Sequence, residues 1–224
     1  MTRTKLSDRK LPTYTKGEEI FNMVSHIVGV GLGITALVLC TIMSAISKDV
    51  YAVISSIIYG ASIILLYTMS SLYHGLSKEI TAKKVFQILD HCSIFLLIAG
   101  TYTPFTLVLL RKYNPFTGWM IFSVVWGIAI IGIILNSIDI KKYKVLSMIC
   151  YLAMGWCILV KITLLPKLLG LVGFWLLLSG GIIYSIGAIL YGIGKKKKYM
   201  HSIFHLFVLI ATILHFLCIL FYVI

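Results

Sequence analysis

Seven long apolar runs leave this chain essentially one way to fold. They cover Met23–Ile46, Val50–His74, Val85–Leu110, Phe116–Ser137, Val145–Leu165, Leu169–Ile193 and Met200–Ile224. Each is about long enough to cross a hydrocarbon layer as a helix. A transmembrane barrel needs short alternating segments, and these runs are continuously apolar. Of the 224 residues 60% are hydrophobic and 12% charged, which leaves no material for a separate water-soluble domain. The expected fold is therefore all-α, a polytopic membrane protein with seven transmembrane helices. Residues 1–22 are expected to form a cytoplasmic tail and interfacial segment, and residues 23–224 a single membrane domain.

The net charge of +13 raises the question of nucleic acid, and its distribution answers it. Counted on alternate sides of the runs, fifteen Lys and Arg fall on one side: the N-terminal tail, Lys78, Lys83, Lys84, Lys141, Lys142, Lys144 and Lys195–Lys198. Five fall on the other: Lys48, Arg111, Lys112, Lys161 and Lys167. By the positive-inside rule the basic side is cytoplasmic, so the N-terminus is expected inside and the C-terminus outside. The lysine clusters then read as topology anchors against anionic headgroups, with no nucleic-acid partner. The first ~20 residues lack the apolar core and cleavage site of a signal peptide, so the first helix is expected to serve as its own insertion signal. The expected location is the cell membrane, with many passes. Five cysteines all lie inside apolar runs without a Cys-x-x-Cys spacing, and read as small core side chains.

Against this apolar background the polar residues inside the runs stand out, because burying them in lipid is costly. His201 and His205, in YMHSIFHLF, are four apart and share one helix face. Ser70 and His74 repeat that spacing at the end of the second run. Asp90 is the one acid clearly within a run, at a cost on the order of 2.5–3.5 kcal/mol unless partnered. At a rise of ~1.5 Å per residue, His74, Asp90, His201 and His205 all fall roughly 5–10 Å below the basic charge layer. His26 lies at similar depth.

Three neutral imidazoles with one open position form a common catalytic zinc set. Asp90 is suited either to the fourth position or to act as acceptor and general base toward a water there. Ser70, one turn inward of His74, is placed to donate to an oxyanion. His91 is rotated ~100° from Asp90 on the helix and is a supporting group at most. Glu18, Asn22 and His26 share a face of the first helix, with Glu19 beside them; an interfacial capping network and a chemical role fit them equally. His215 is ~15 Å further across the bilayer than His205 and is expected to be a hydrogen-bonded core residue. Pro104 predicts a kink through the freed Gly100 carbonyl. The fourth, fifth and sixth runs carry no buried acid or histidine and read as scaffold.

Four stretches together, EEIFNMVSH, SSLYH, LDHCSIFLLIAGTYTPF and HSIFH, resemble the hemolysin III family. That family is the bacterial branch of the progestin and adipoQ receptors, within the alkaline ceramidase-like superfamily. The resemblance runs over nearly the whole chain. It implies zinc held by His74, His201 and His205, with Asp90 touching the metal through water and Ser70 nearby. Glu19, Asn22 and His26 match a motif of the bacterial branch. Eukaryotic relatives resemble ceramide hydrolases or ligand-responsive receptors, whereas bacterial members are called channel-forming hemolysins or tied to membrane homeostasis.

The functional expectation is a zinc-dependent hydrolase of a lipid amide or ester, or a lipid-responsive regulator built on the same site. The alternatives are a channel-forming lytic protein and a receptor in which zinc is purely structural. A pore asks for polar residues across both leaflets, and the ionisable groups here gather at one edge. The sequence leaves the lipid substrate and the oligomeric state open.

Overall fold

A computed structural model describes residues 4–193 and 197–224. Arg3, Lys195 and Lys196 of the basic side lie outside the described residues. Among the described residues the chain is helical and carries no strand. The helices are α1 (Lys16–Ile46), α2 (Val50–Gly75), α3 (Thr81–Pro104), α4 (Pro115–Trp156), α5 (Leu165–Ile193) and α6 (Met200–Tyr222). They pack as a ring: α1 on α2, α2 on α3, α3 on α4, α5 on α6, and α6 back onto α1.

Among the described residues six helical stretches are long and apolar enough to cross a membrane, against the seven expected. The difference lies at one residue. Helical structure runs from the fourth apolar run into the fifth without a loop, but Asp139 breaks it with extended φ −161° and ψ 101°. The chain reverses there. In a straight helix residues 136 and 147 would stand about 16 Å apart, yet the Ser147 hydroxyl donates to Asn136 Oδ1 at 2.7 Å and Asn136 Nδ2 to the Tyr151 hydroxyl at 3.3 Å. Asp139 supports the turn by accepting from the Lys141 and Lys142 backbone amides through Oδ1, which caps the second arm. The first arm covers 115–138 and the second 140–156.

α1 displays the solvent for which the molecule is built. Its buried face holds Glu18, Asn22, Ser25, His26, Gly29 and Gly33 at helical spacing. Its outer face exposes Ile20, Phe21, Val24, Ile27 and Val28. Polar inside and apolar outside is the arrangement of a helix in lipid, where ionisable groups face the bundle interior. The chain is a multi-pass membrane protein.

The α1–α2 seam rests on close backbone approach. A Cβ on Gly60 would stand 2.5 Å from the Leu37 Cα, so only glycine lets the helices meet there. At the far end of α3 the expected kink at Pro104 takes the form of a π-helical stretch, Phe105–Leu110. Proline removes one ladder donor, and the Thr103 and Thr106 hydroxyls turn back to the Ala99 and Tyr102 carbonyls. The five cysteines are unpaired, three of them buried.

The N-terminal segment is tied to the bundle by hydrogen bonds. The Thr4 amide donates to Asp139 Oδ2, Lys84 Nζ to the Ser7 carbonyl and Lys78 Nζ to the Tyr14 carbonyl. It lies as a strap across the basic end of the bundle, tied at three points.

Candidate metal centre

The three histidines of the cluster sit near helix ends at the basic end. His74 closes α2, and His201 and His205 open α6 on one face. Helix geometry alone stacks the latter two: their Nε2 atoms are 3.0 Å apart. His74 reaches the same point from across the bundle. Ligating atoms of the three residues all lie within 4.8 Å of one another. A tetrahedral zinc with bonds near 2.0–2.1 Å keeps its nitrogens about 3.4 Å apart, inside that range.

Two observations fit a cation there. His74 Nδ1 is 2.6 Å from Glu19 Oε2, so that nitrogen carries the proton and donates to the carboxylate. The other nitrogen, Nε2, is buried and has no hydrogen-bond partner among the described residues. A buried lone pair without a donor is costly unless something electrophilic meets it. The second observation is the donor set itself: three imidazoles, with an outer carboxylate orienting one of them, form a common zinc-site pattern. The residues present fit the metal.

The two adjacent glutamates take different roles. Glu18 is structural: it completes a capping box with Thr15 and accepts from the Tyr199 amide at 2.7 Å, tying the start of α1 to the start of α6. Glu19 faces the histidines. Asn22 is fully buried with Nδ2 3.5 Å from His74 Nδ1. His26 stacks on His205 with ring centroids 3.8 Å apart, and neither of its nitrogens has a partner among the described residues.

Asp90 and Ser70 stand outside the three-histidine group but line one cavity with His26, His201 and His205. The Asp90 carboxylate lies 3.8 Å from His91 Nδ1, and that nitrogen donates to the Gln87 carbonyl at 2.9 Å. His91 also borders the cavity. The cavity holds about 180 Å³ and extends along α6 as far as His215. From His201 to His215 the helix rises about 21 Å. His215 is, as expected, a core residue, its Nε2 donating to the Leu177 carbonyl at 3.1 Å. The helices read as scaffold do more than support: Lys144, Met148 and Tyr151 of α4 and Tyr184 and Tyr191 of α5 wall the cavity. They carry the apolar and phenolic surface that a search for acids and histidines passes over.

Two contributors carry no mark in the sequence. Tyr14 of the strap stacks on His201, centroids 4.9 Å and planes 10° apart, closing the basic end of the site. Burial pushes its phenol well above the ordinary tyrosine value, so it meets the imidazole as a neutral ring. Lys83, which its position groups with the headgroup-facing charges, is 1% exposed and bonds Glu19 Oε1 at 2.9 Å. No spacing rule singles out either residue, since each reaches the site from a different segment.

Fold and site together define a class: helical multi-pass membrane proteins with a histidine cluster inside the bundle near one end. Within that class, the family described as Haemolysin-III related matches residues 14–216, and the chain belongs to it. Hemolysin-3 of Bacillus cereus is 43% identical over 206 residues, 92% of this chain and 92% of that protein. The Hemolysin-3 homolog of Bacillus subtilis (strain 168) is 40% identical over 209 residues, 93% and 96% of the two. The human Monocyte to macrophage differentiation factor is 28% identical over 187 residues, 82% and 76%. The bacterial relatives accord with a place in the cell membrane.

Proposed function

We propose that this protein is a zinc-dependent hydrolase of a membrane lipid amide or ester. The observation that carries the reading is the cavity itself: His201 and His205 of the three-histidine group line it together with the Asp90 carboxylate and the Ser70 hydroxyl, at one end of a long, mainly apolar channel. His74, His201 and His205 would hold the zinc, which when bound supplies Lewis acidity and lowers the pKa of water. Asp90 takes the proton of the attacking water and returns it to the leaving amine or alcohol as the acyl bond breaks. Ser70 donates a hydrogen bond to the carbonyl oxygen as charge builds on it. The apolar stretch toward His215 suits an extended acyl chain. Occupancy of the same cavity by an uncleaved lipid would make the protein a regulator of membrane state.

The test uses purified, zinc-loaded protein and native membrane lipid extract, with released fatty acid identified by mass spectrometry. Ser70→Ala and Asp90→Asn should retain zinc and lose roughly 100-fold or more in turnover. Unchanged release in both variants contradicts hydrolysis at this site.

The name of the Bacillus cereus relative favours a second reading, membrane lysis. The buried acidic, basic and imidazole side chains weigh against a pore: among the described residues Glu18, His26, His74, Lys83, Asp139 and His205 gather at one end, and His215 alone lies further in. Wild-type protein in liposomes that releases trapped ions, with zinc-site variants releasing them equally, would favour lysis over hydrolysis.

A further inference from the structure

We infer that Lys83 is a positioning residue of the metal centre, acting through Glu19 to hold His74 in its ligating orientation. This rests on the assignment of zinc to the three histidines. Its basis is a chain of contacts across three helices. Glu19 of α1 divides its carboxylate, giving Oε2 to His74 of α2 at 2.6 Å and Oε1 to Lys83 of α3 at 2.9 Å.

A glutamate held at one oxygen still swings about its side-chain bonds. Held at both, by charge-assisted contacts from different helices, its plane is fixed. A fixed acceptor fixes the His74 ring, and the tautomer that donates from Nδ1 presents the bare Nε2 toward His201 and His205. The same ammonium donates to the Leu76 carbonyl at 2.9 Å and lies 3.5 Å from the His74 carbonyl, so it also grips the last turn of α2.

Neither topology nor headgroup contact accounts for the burial of Lys83. A lysine serving those purposes extends its ammonium to water. Lys84, the next residue, does reach outward, to the Ser7 carbonyl of the strap. Lys83 turns inward, where its charge is tolerated only because a carboxylate and backbone carbonyls surround it.

A purely structural helix-end role makes a different prediction from positioning, and a double-mutant cycle separates them. Zinc affinity is measured by chelator competition on wild type, Lys83→Met, Lys83→Arg, Glu19→Gln and Glu19→Gln/Lys83→Met, with thermal unfolding of each metal-free protein alongside. Lys83→Met should bind zinc roughly 10- to 100-fold more weakly, the usual loss when an outer partner of a ligand is removed. Lys83→Arg should restore most of the affinity. In the Glu19→Gln background the lysine substitution should cost far less, because only its grip on the last turn of α2 remains to be lost. The double variant removes both charges of the pair together, leaving no unpaired charge at the buried Lys83 position, and is therefore the one best placed to fold. Lys83→Met with wild-type zinc affinity, or the same fold-loss on both backgrounds, overturns the inference. A well-folded wild type that holds no zinc overturns the parent reading and this one with it.

Discussion

At the residue scale, the site depends on which nitrogen of His74 is free. Glu19 settles that by taking the proton side of the ring, and Tyr14 closes the opposite approach by stacking on His201. The histidines were legible because imidazoles at i and i+4 in an apolar run are costly unless they share a partner. Glu19 was legible as a supporting residue, but its division of labour with Glu18 was not. Two carboxylates adjacent in sequence point ~100° apart on a helix, and only the packing of α2 and α6 decides which meets the histidines. Tyr14 and Lys83 lay outside any pattern, because their contacts depend on where a strap and a helix start are carried by the fold. If the Tyr14 ring seals the site, Tyr14→Ala should speed chelator extraction of bound zinc severalfold while Tyr14→Phe leaves it unchanged, since stacking uses the ring and not the phenol. Zinc release timed with a chromophoric chelator reads this directly. Equal rates in all three proteins would show that the strap is no barrier.

At the element scale, helix ends and close approaches carry the stability. The capping box of α1 predicts that Thr15→Ala costs about 1 kcal/mol, seen as a lower unfolding temperature in detergent. Gly60→Val should cost about 1–3 kcal/mol, because its side chain meets the Leu37 backbone and separates α1 from α2. At the opposite end, Asp49 caps α2 and pairs with Lys112 at 2.8 Å. The ammonium holds the Asp49 carboxyl below its ordinary value. The carboxyl is charged in the folded state over a wider range than in the unfolded one. Its stabilisation is complete above about pH 4, the ordinary carboxylate range, and fades as pH falls through the depressed value. Asp49→Asn keeps a capping side chain and loses the ion pair. It should lower stability by at most about 1 kcal/mol at neutral pH, Lys112 being exposed. That difference should vanish in strong acid, as a pair of unfolding curves would record. Element boundaries were the less legible part of the fold. The polar cluster at 139–144 reads as a loop between two runs, but Asp139 turns the chain within a single residue while its carboxylate caps the second arm of α4. A helix length therefore spans two runs that hydropathy keeps apart.

At the scale of the whole molecule, the inside-out distribution of polarity and the ring of packed helices stem from the apolar runs, and that much is legible in sequence. The cavity is not. It arises where α4 and α5 touch only sparingly, and its walls are ordinary Leu, Ile, Met and Tyr residues that hydropathy assigns to lipid or core alike. Yet the cavity is what joins His201 and His205 of the cluster to Asp90 and Ser70, in a space of about 180 Å³. Both the proposed hydrolysis and the proposed positioning role of Lys83 require that the cluster hold a metal. The most direct test is elemental analysis of protein purified without chelator, wild type beside His205→Ala. About one zinc per wild-type chain is expected, and loss of it in the variant, with both proteins remaining helical. A folded wild type free of zinc, or a variant that keeps it, would contradict a metal centre at these histidines.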